Sequence, residues 1–288
     1  MESYLYCRKV VKTNNKGFYK AFSMLPFEKA SALYAVYAFY IEARNAVVIK
    51  NDIHLLERKK DYINDIYSGV YVNDHVFIAL KDAIKRYNLQ KKYFLDMIKG
   101  IKFDFYHKYT KTESELEEYC YYVSETRYLL LTPVIASEAY SENSELLNII
   151  AKNLGYAMEI SKLLKTIGDD IDNDQVYLSM EMIDKHHASV YDLKNKVITE
   201  EYVSLVNDYI NKAKESFDVF YDNIHLYDKD SRFPLYITAK YSDATLKKIK
   251  KNKYQNLDTI TKLSFLERSI LTTKEKINYL LKNKKSPK

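Results

Sequence analysis

Tryptophan is absent from this chain of 288 residues, and glycine and proline are scarce, at five and four residues. An all-β protein needs glycine and proline at its many tight turns, so their scarcity argues against a many-stranded sheet. The two cysteines, Cys7 and Cys120, are too few for a disulfide framework or a thiolate metal site. The composition therefore favours a fold built from helices.

Long apolar runs are also missing, since no stretch reaches the roughly 18 residues that a membrane-spanning helix needs. Residues 1–12 are polar and mixed in charge, which is not the pattern of a secretory signal peptide. We expect a cytoplasmic protein whose contact with membranes, if any, is peripheral. The net charge of +6 permits an anionic partner, such as a diphosphate or an acidic lipid, without requiring one.

Apolar residues recur every three or four positions along most of the chain, which predicts amphipathic helices. Segment 27–49 is apolar on nearly all sides and should lie in the middle of a bundle. Pro133 should kink or break the helix that contains it. We predict one all-α domain over residues 1–288, with a disordered tail at 283–288. The predicted helices cover 27–49, 53–67, 76–87, 92–109, 113–140, 146–171, 199–227, 234–251 and 274–282, with short helices near residue 1 and from residue 180.

An acidic stretch ends one of these helices and places four aspartates within six residues, at 169–174. Carboxylates at this density suit a hard cation, and Asp170 and Asp174 are the candidate metal ligands. The spacing also overlaps that of an EF-hand loop, but Gln175 stands where the sharp turn needs glycine. An acidic helix end without a metal is the alternative.

Four stretches resemble, in order and in spacing, the squalene/phytoene synthase family, especially its bacterial dehydrosqualene-synthase branch. They lie at 18–26, at 32–39, at 119–123 with 131–135, and at 168–179, which begins Gly-Asp-Asp-Ile-Asp-Asn-Asp. The resemblance implies a helical bundle around a central apolar cavity. It also implies two facing aspartate motifs that hold Mg²⁺ against the diphosphates of two isoprenyl substrates, where the metal stabilises the departing diphosphate.

The first aspartate motif is degenerate in this chain. Where the family pattern is Asp-Asp-x-x-Asp, the chain has Arg44, Asn45 and Val48. One carboxylate has become a cation and two have become uncharged. Half of the oxygen ligands for a metal cluster are therefore missing.

The second motif is only partly kept. Lys162, Lys165 and Thr166 stand where the resemblance implies Asn, Arg and the leading Asp. Of the motif's acids, Asp169 and Asp170 remain.

The expected cavity wall differs too, because Glu125 and Tyr128 replace two glycines and should partly fill the cavity. The candidate substrate-binding residues are the cations near these motifs together with one tyrosine. They are Lys16, Lys20, Arg44, Arg127, Tyr128, Lys162 and Lys165.

Two interpretations fit these replacements. In one, the cations bind a diphosphate directly. In the other, Arg44 pairs with Asp169 or Asp170 and closes the former mouth. The second is preferred at this point, because a retained acid facing a new arginine would otherwise lack a partner.

The sequence thus predicts a catalytically degenerate family member that binds an isoprenoid or a protein partner. The alternative is an active enzyme, either a weak dehydrosqualene/squalene-type synthase or a prenyl diphosphate phosphatase. No cofactor is expected unless activity remains, in which case Mg²⁺ is. The C-terminal third is rich in lysine, but its apolar residues look like packing positions, which argues against nucleic acid. Peripheral contact with an anionic membrane is favoured instead, because isoprenoids partition into lipid.

We predict that purified protein does not condense farnesyl or geranylgeranyl diphosphate in the presence of Mg²⁺, because the first motif lacks its carboxylates. Extraction and chromatography of the reaction products provide the measurement. A presqualene, thirty-carbon or forty-carbon product would show that condensation persists.

Overall fold

The computed structural model describes residues 1–106 and 108–285, with side-chain surroundings through Tyr279. Within these residues the fold is all-α, as predicted, and no described helix is long and apolar enough to cross a membrane. The helices are α1 Glu2–Asn14, α2 Lys16–Phe22, α3 Phe27–Val48, α4 Ile53–Tyr67, α5 His75–Tyr87, α6 Lys91–Tyr106, α7 Glu113–Cys120, α8 Thr126–Ile135, α9 Tyr140–Asp172, α10 Met180–Lys185, α11 Val190–Lys194, α12 Glu200–Asp222, α13 Lys229–Lys251 and α14 Phe265–Lys285.

Helix α3 lies in the middle of the bundle, as its apolar composition predicted. It packs against α1, α4, α5, α6 and α8, so it is covered on most sides. Phe39 shows the density of this region, because its ring stands edge-on to those of Phe77 and Phe94 at centroid distances of 5.8 and 5.4 Å. Such pairs add to the free energy gained from burial alone.

Helix α9 is the longest element, with 33 residues, and packs against α8, α12 and α13. It extends from Tyr140 to the acidic stretch, with non-helical backbone angles at Asn143. The chain that follows pairs with the segment before α7 through an isolated bridge between Tyr109 and Val176. The Val176 amide donates to the carbonyl of Lys108 at 2.8 Å, and this pairing gives the backbone of 108–110 partners outside a helix.

Several predicted boundaries were wrong. The helix predicted over 92–109 ends at Tyr106, and the one predicted over 113–140 is divided by a π-helical turn, Tyr121–Glu125. Helix α8 continues through Pro133 and ends at Ile135. Helix α11 was not predicted.

The last helix also differs from its prediction, since α14 begins at Phe265 rather than at residue 274. Ser264 and Glu267 form two reciprocal hydrogen bonds at its N-terminus. The Ser264 amide donates to Glu267 at 2.6 Å, and the Glu267 amide donates to Ser264 Oγ at 3.2 Å. This is a capping box, which stabilises a helix N-terminus. Helix α14 extends through Lys285, so 283–285 are helical, and 286–288 lie outside the described residues.

The segment between α13 and α14 lies close against α9. Asn256 Nδ2 donates to the carbonyl of Leu164 at 2.7 Å. A Cβ atom added at Gly168 would lie 1.9 Å from the carbonyl oxygen of Leu257. Only glycine allows this approach, which brings the end of the segment to the same face of α9 as Lys165.

We predict that Gly168→Ala lowers the free energy of unfolding by about 1–3 kcal/mol, because the methyl group displaces backbone. This loss should exceed the roughly 1 kcal/mol that alanine otherwise gains over glycine within a helix. Urea denaturation followed by circular dichroism measures the change. The control is Gly17→Ala, where the nearest atom to an added Cβ is Asn15 Oδ1 at 3.5 Å. A Gly168→Ala protein as stable as the parent would contradict the packing argument.

Candidate functional site

A cavity of about 410 Å³ opens among α2, α8, α9, α13 and the start of α14. Its lining is amphiphilic. Apolar surface comes from Phe18, Tyr128, Leu131 and Met158, whereas the charged lining consists of five cations and one carboxylate. The charged residues are Arg127, Lys162, Lys165, Lys262, Arg268 and Glu159.

Helical spacing explains why α9 contributes so many of these groups. Lys162 follows residue 158 by four positions and Glu159 by three, and it precedes Lys165 by three, so all four residues lie on one side of the helix. Arg127 and Tyr128 come from the first turn of α8, directly after the π-helical turn.

Among the described residues, Glu159 is the only carboxylate that lines the cavity, and it is 1% exposed. Its Oε1 accepts from Lys162 Nζ at 2.5 Å, and its Oε2 lies 3.4 Å from Arg127 Nη2. The Arg127 guanidinium also lies 4.4 Å from the centre of the Tyr40 ring, within the range of a cation–π contact. A buried carboxylate is stable only when it is paired, so Glu159 fixes both cations at the wall of the cavity.

Glu159 was not among the predicted site residues. Its place in the sequence could have identified it, because Glu159 lies between Ala157 and Ile160, two positions of the buried face of α9. A charged residue on such a face predicts an ion pair.

Positive charge dominates the cavity even after this pairing. Burial, together with the nearby cations Lys162 and Lys262, lowers the pKa of Lys165 below its ordinary value. Arg127 Nε is buried and has no hydrogen-bond partner within the part of the chain that the structure describes. A bound anion would relieve the crowding of positive charge.

The preferred interpretation of the replaced motifs, closure by an ion pair of Arg44, was wrong. Arg44 is half-buried and forms no ion pair with any carboxylate among residues 1–106 and 108–285. Asp170 instead accepts a hydrogen bond from Thr166 Oγ1 at 2.9 Å, and Asp169 is exposed. The retained Asp170 finds its partner one turn earlier on its own helix, so it does not depend on Arg44.

The other positions of the first motif supply no charged group. Asn45 is half-buried, and its carbonyl accepts from the amide of Ile49 at 3.1 Å at the end of α3. Val48 is 55% exposed.

The residues present do not fit the magnesium cluster that the resemblance implies. Asp174 is 76% exposed and pairs with Lys194 at 3.0 Å, while Asp172 pairs with Lys196 at 2.7 Å. Within the described residues, no three His, Cys, Asp or Glu side chains come together in a way that could hold a metal ion. Asp170 and Asp174 therefore stand without the further carboxylates that a diphosphate-bridging metal needs.

Four of the seven predicted substrate-binding residues line the cavity: Arg127, Tyr128, Lys162 and Lys165. Lys16 and Lys20 are exposed on α2 and do not line it, although their neighbours Asn15, Gly17 and Phe18 do. Asn15 Nδ2 donates to Tyr37 Oη at 2.6 Å, which fixes the start of α2 beside α3. Lys262 and Arg268 were not predicted, because only the fold brings them to α9.

Glu125 does not fill the cavity, contrary to the prediction. It lines a separate cleft with Lys152 and Tyr156, on the other side of the π-helical turn. Its backbone is pressed against α9, where a Cβ atom added at Gly155 would lie 2.6 Å from Glu125 Cα. Tyr128 lines the cavity as predicted.

Most of the chain matches one known protein family. The family model described as squalene/phytoene synthase matches residues 11–267. A 4,4'-diapophytoene synthase of Staphylococcus haemolyticus is 24% identical over 262 residues, which cover 89% of this chain and 90% of the relative. A 15-cis-phytoene synthase of Synechocystis sp. is 25% identical over 294 residues, covering 97% and 83%.

Solved structures with the same fold include two synthases. A dehydrosqualene synthase crystallised in complex with a ligand has a TM-score of 0.89 at 29% identity, covering 98% of this chain and 97% of the other. The squalene synthase HpnC from Alicyclobacillus acidocaldarius has a TM-score of 0.78 at 18% identity, covering 88% and 95%, and shares the fold.

Burial raises the pKa of Glu125 to about 7, so the stability of the protein should depend on pH. An unfolded glutamate loses its proton near pH 4.3, so the folded state is favoured at low pH and loses this contribution between about pH 4.3 and about pH 7. Glu125→Gln stays neutral and should exceed the parent in stability at about pH 8 by about 1–3 kcal/mol, with the gap closing by about pH 4.

Urea denaturation across this pH range measures the gap. The matched variant Glu215→Gln alters an exposed carboxylate of the same cleft and should change stability by less than about 0.5 kcal/mol. A gap for Glu125→Gln that is constant with pH would contradict the prediction.

Proposed function

The chain belongs to the squalene/phytoene synthase family, and on that basis we propose that it binds one isoprenyl diphosphate without performing magnesium-dependent head-to-head condensation. The observation that carries this proposal is the amphiphilic cavity, where five cations adjoin apolar side chains. A diphosphate joined to an isoprenyl tail has the complementary arrangement of charge and apolar surface.

Direct recognition by side chains replaces the metal in this proposal. Arginine and lysine donate charge-assisted hydrogen bonds to phosphate oxygens, and arginine can do so through two parallel N–H groups. Lys162 and Lys165 stand one helical turn apart on α9, and Lys262 and Arg268 approach from the C-terminal segment. Together they can surround a diphosphate that a synthase would hold through Mg²⁺.

The size of the cavity supports the binding of a single ligand. Pockets for one small molecule have volumes of about 300–1,000 Å³, and this cavity of about 410 Å³ lies toward the lower end. Tyr128, at a position where the resemblance implies glycine, contributes to the lining. Condensation would require room for a second isoprenyl chain.

An active synthase is the second candidate. It is favoured by the curated relatives, which are named as synthases and match 89% and 97% of this chain. Product analysis distinguishes the two candidates, because a binding protein returns its isoprenyl diphosphate unchanged.

We predict that Lys162→Gln with Lys165→Gln weakens the binding of farnesyl diphosphate by roughly a hundred-fold or more, since two hydrogen bonds to charged groups are lost and each contributes about 1.5–3 kcal/mol. Isothermal titration calorimetry provides the measurement. The control, Lys250→Gln with Lys251→Gln, removes the same charge from exposed positions at the end of α13 and should leave affinity within about two-fold.

The variant Glu159→Gln should change the affinity in the opposite direction. It removes the acid that holds Lys162 and Arg127, so affinity for the diphosphate should rise while the free energy of unfolding falls. Equal affinities in the parent, Glu159→Gln and the Lys162/Lys165 variant would place the binding site elsewhere.

A further inference from the structure

The face of helix α14 that packs against α13 carries polar side chains. Its contacts with α13 recur at Arg268, Thr272, Glu275 and Tyr279, which share one face. Thr272 Oγ1 lies 2.6 Å from Tyr241 Oη, and Glu275 accepts from Tyr236 Oη at 2.8 Å. The Arg268 guanidinium lies 5.8 Å from the Tyr241 ring, and the Tyr279 ring contacts that of Phe233 at 5.7 Å.

The opposite face of α14 is apolar and exposed. Leu266, Ile270 and Ile277 are 67%, 60% and 52% exposed. With Thr273 they follow the spacing of a single stripe along the helix. Phe265, at the N-terminus of the helix, is 80% exposed.

This arrangement is the reverse of an ordinary surface helix, which turns its apolar stripe toward the core. Single exposed apolar residues are common in soluble proteins, but a continuous stripe marks a surface that meets a partner. The polar contacts with α13 hold α14 in this orientation, because turning it inward would break the hydrogen bonds of Thr272 and Glu275.

Positive charge borders the stripe on both sides. Lys274 and Lys276 are exposed, and at 100° per residue they fall on opposite edges of the row formed by Ile270 and Ile277. A second copy of the chain placed on this face would bring like charges together. Anionic lipid headgroups would instead pair with them while the acyl boundary accepts the isoleucines.

We propose that the outer face of α14 docks on the surface of an anionic lipid bilayer. Leu266, Ile270 and Ile277 enter the boundary between headgroups and acyl chains, and Lys274 and Lys276 contact the headgroups. Arg268, on the inner face of the same helix, lines the cationic cavity. Docking therefore places the cavity within about one helix diameter, 10–12 Å, of the membrane surface.

The test is flotation of the full chain with phosphatidylcholine vesicles that contain or lack phosphatidylglycerol, with no isoprenoid present. The parent should float with the anionic vesicles only. Ile270→Gln with Ile277→Gln should weaken this binding about ten-fold or more, because both side chains lose transfer into an apolar phase. The control, Leu146→Gln with Ile149→Gln, alters two apolar side chains of α9 that are 43% and 54% exposed, and it should float like the parent.

The absence of tryptophan allows a direct measurement of insertion. A single reporter at Ile270→Trp should shift its fluorescence to shorter wavelength on addition of anionic vesicles, whereas Ile149→Trp should not shift. Circular dichroism confirms that each variant is folded.

Three results would overturn the proposal. The parent fails to bind anionic vesicles, the Ile270/Ile277 variant binds as well as the parent, or the stripe pairs two copies of the chain. Sedimentation equilibrium detects the third as a dimer that the same variant dissociates. Because no isoprenyl diphosphate is added, failure here leaves the proposed function unaffected, and loss of diphosphate binding leaves membrane docking unaffected.

Discussion

The cavity depends on one buried acid. Glu159 is 1% exposed and holds Arg127 and Lys162 from two different helices. Without it, two cations would stand in a partly buried wall with no counter-charge, at a cost of several kcal/mol. With it, α8 and α9 are joined at the cavity, and the five cations of the lining still exceed its single negative charge.

The geometry reverses the electrostatics that the resemblance implies. Carboxylates that would hold Mg²⁺ are replaced on α3, and those kept at the end of α9 pair with Thr166, Lys194 and Lys196. Cations gather one or two turns earlier on α9, where they meet Lys262 and Arg268. A diphosphate needs Mg²⁺ where aspartates line the site, whereas lysine and arginine side chains can bind it directly. The outward apolar face of α14 lies on the helix that also contributes Arg268 to this cavity.

Sequence periodicity predicted most helices because each buries a regular apolar stripe, and α4 was predicted with its observed bounds. It failed where tertiary contacts override local pattern, as at the π-helical turn and at the bridge between Tyr109 and Val176. The start of α14 could have been predicted, since Ser264 and Glu267 form a recognisable capping box. Four site residues were identified from motif positions. Lys262 and Arg268 lie about a hundred residues from Lys162 in the sequence, and tertiary contacts such as the packing of Gly168 against Leu257 bring them to the same cavity.

The most direct test of the account is the affinity for farnesyl diphosphate measured in the presence of a chelator and then with increasing Mg²⁺. If side-chain cations replace the metal, saturable binding is present in the chelator and Mg²⁺ does not strengthen it. Binding that appears only when Mg²⁺ is added would contradict the account, because it would require a metal site that the described side chains do not form.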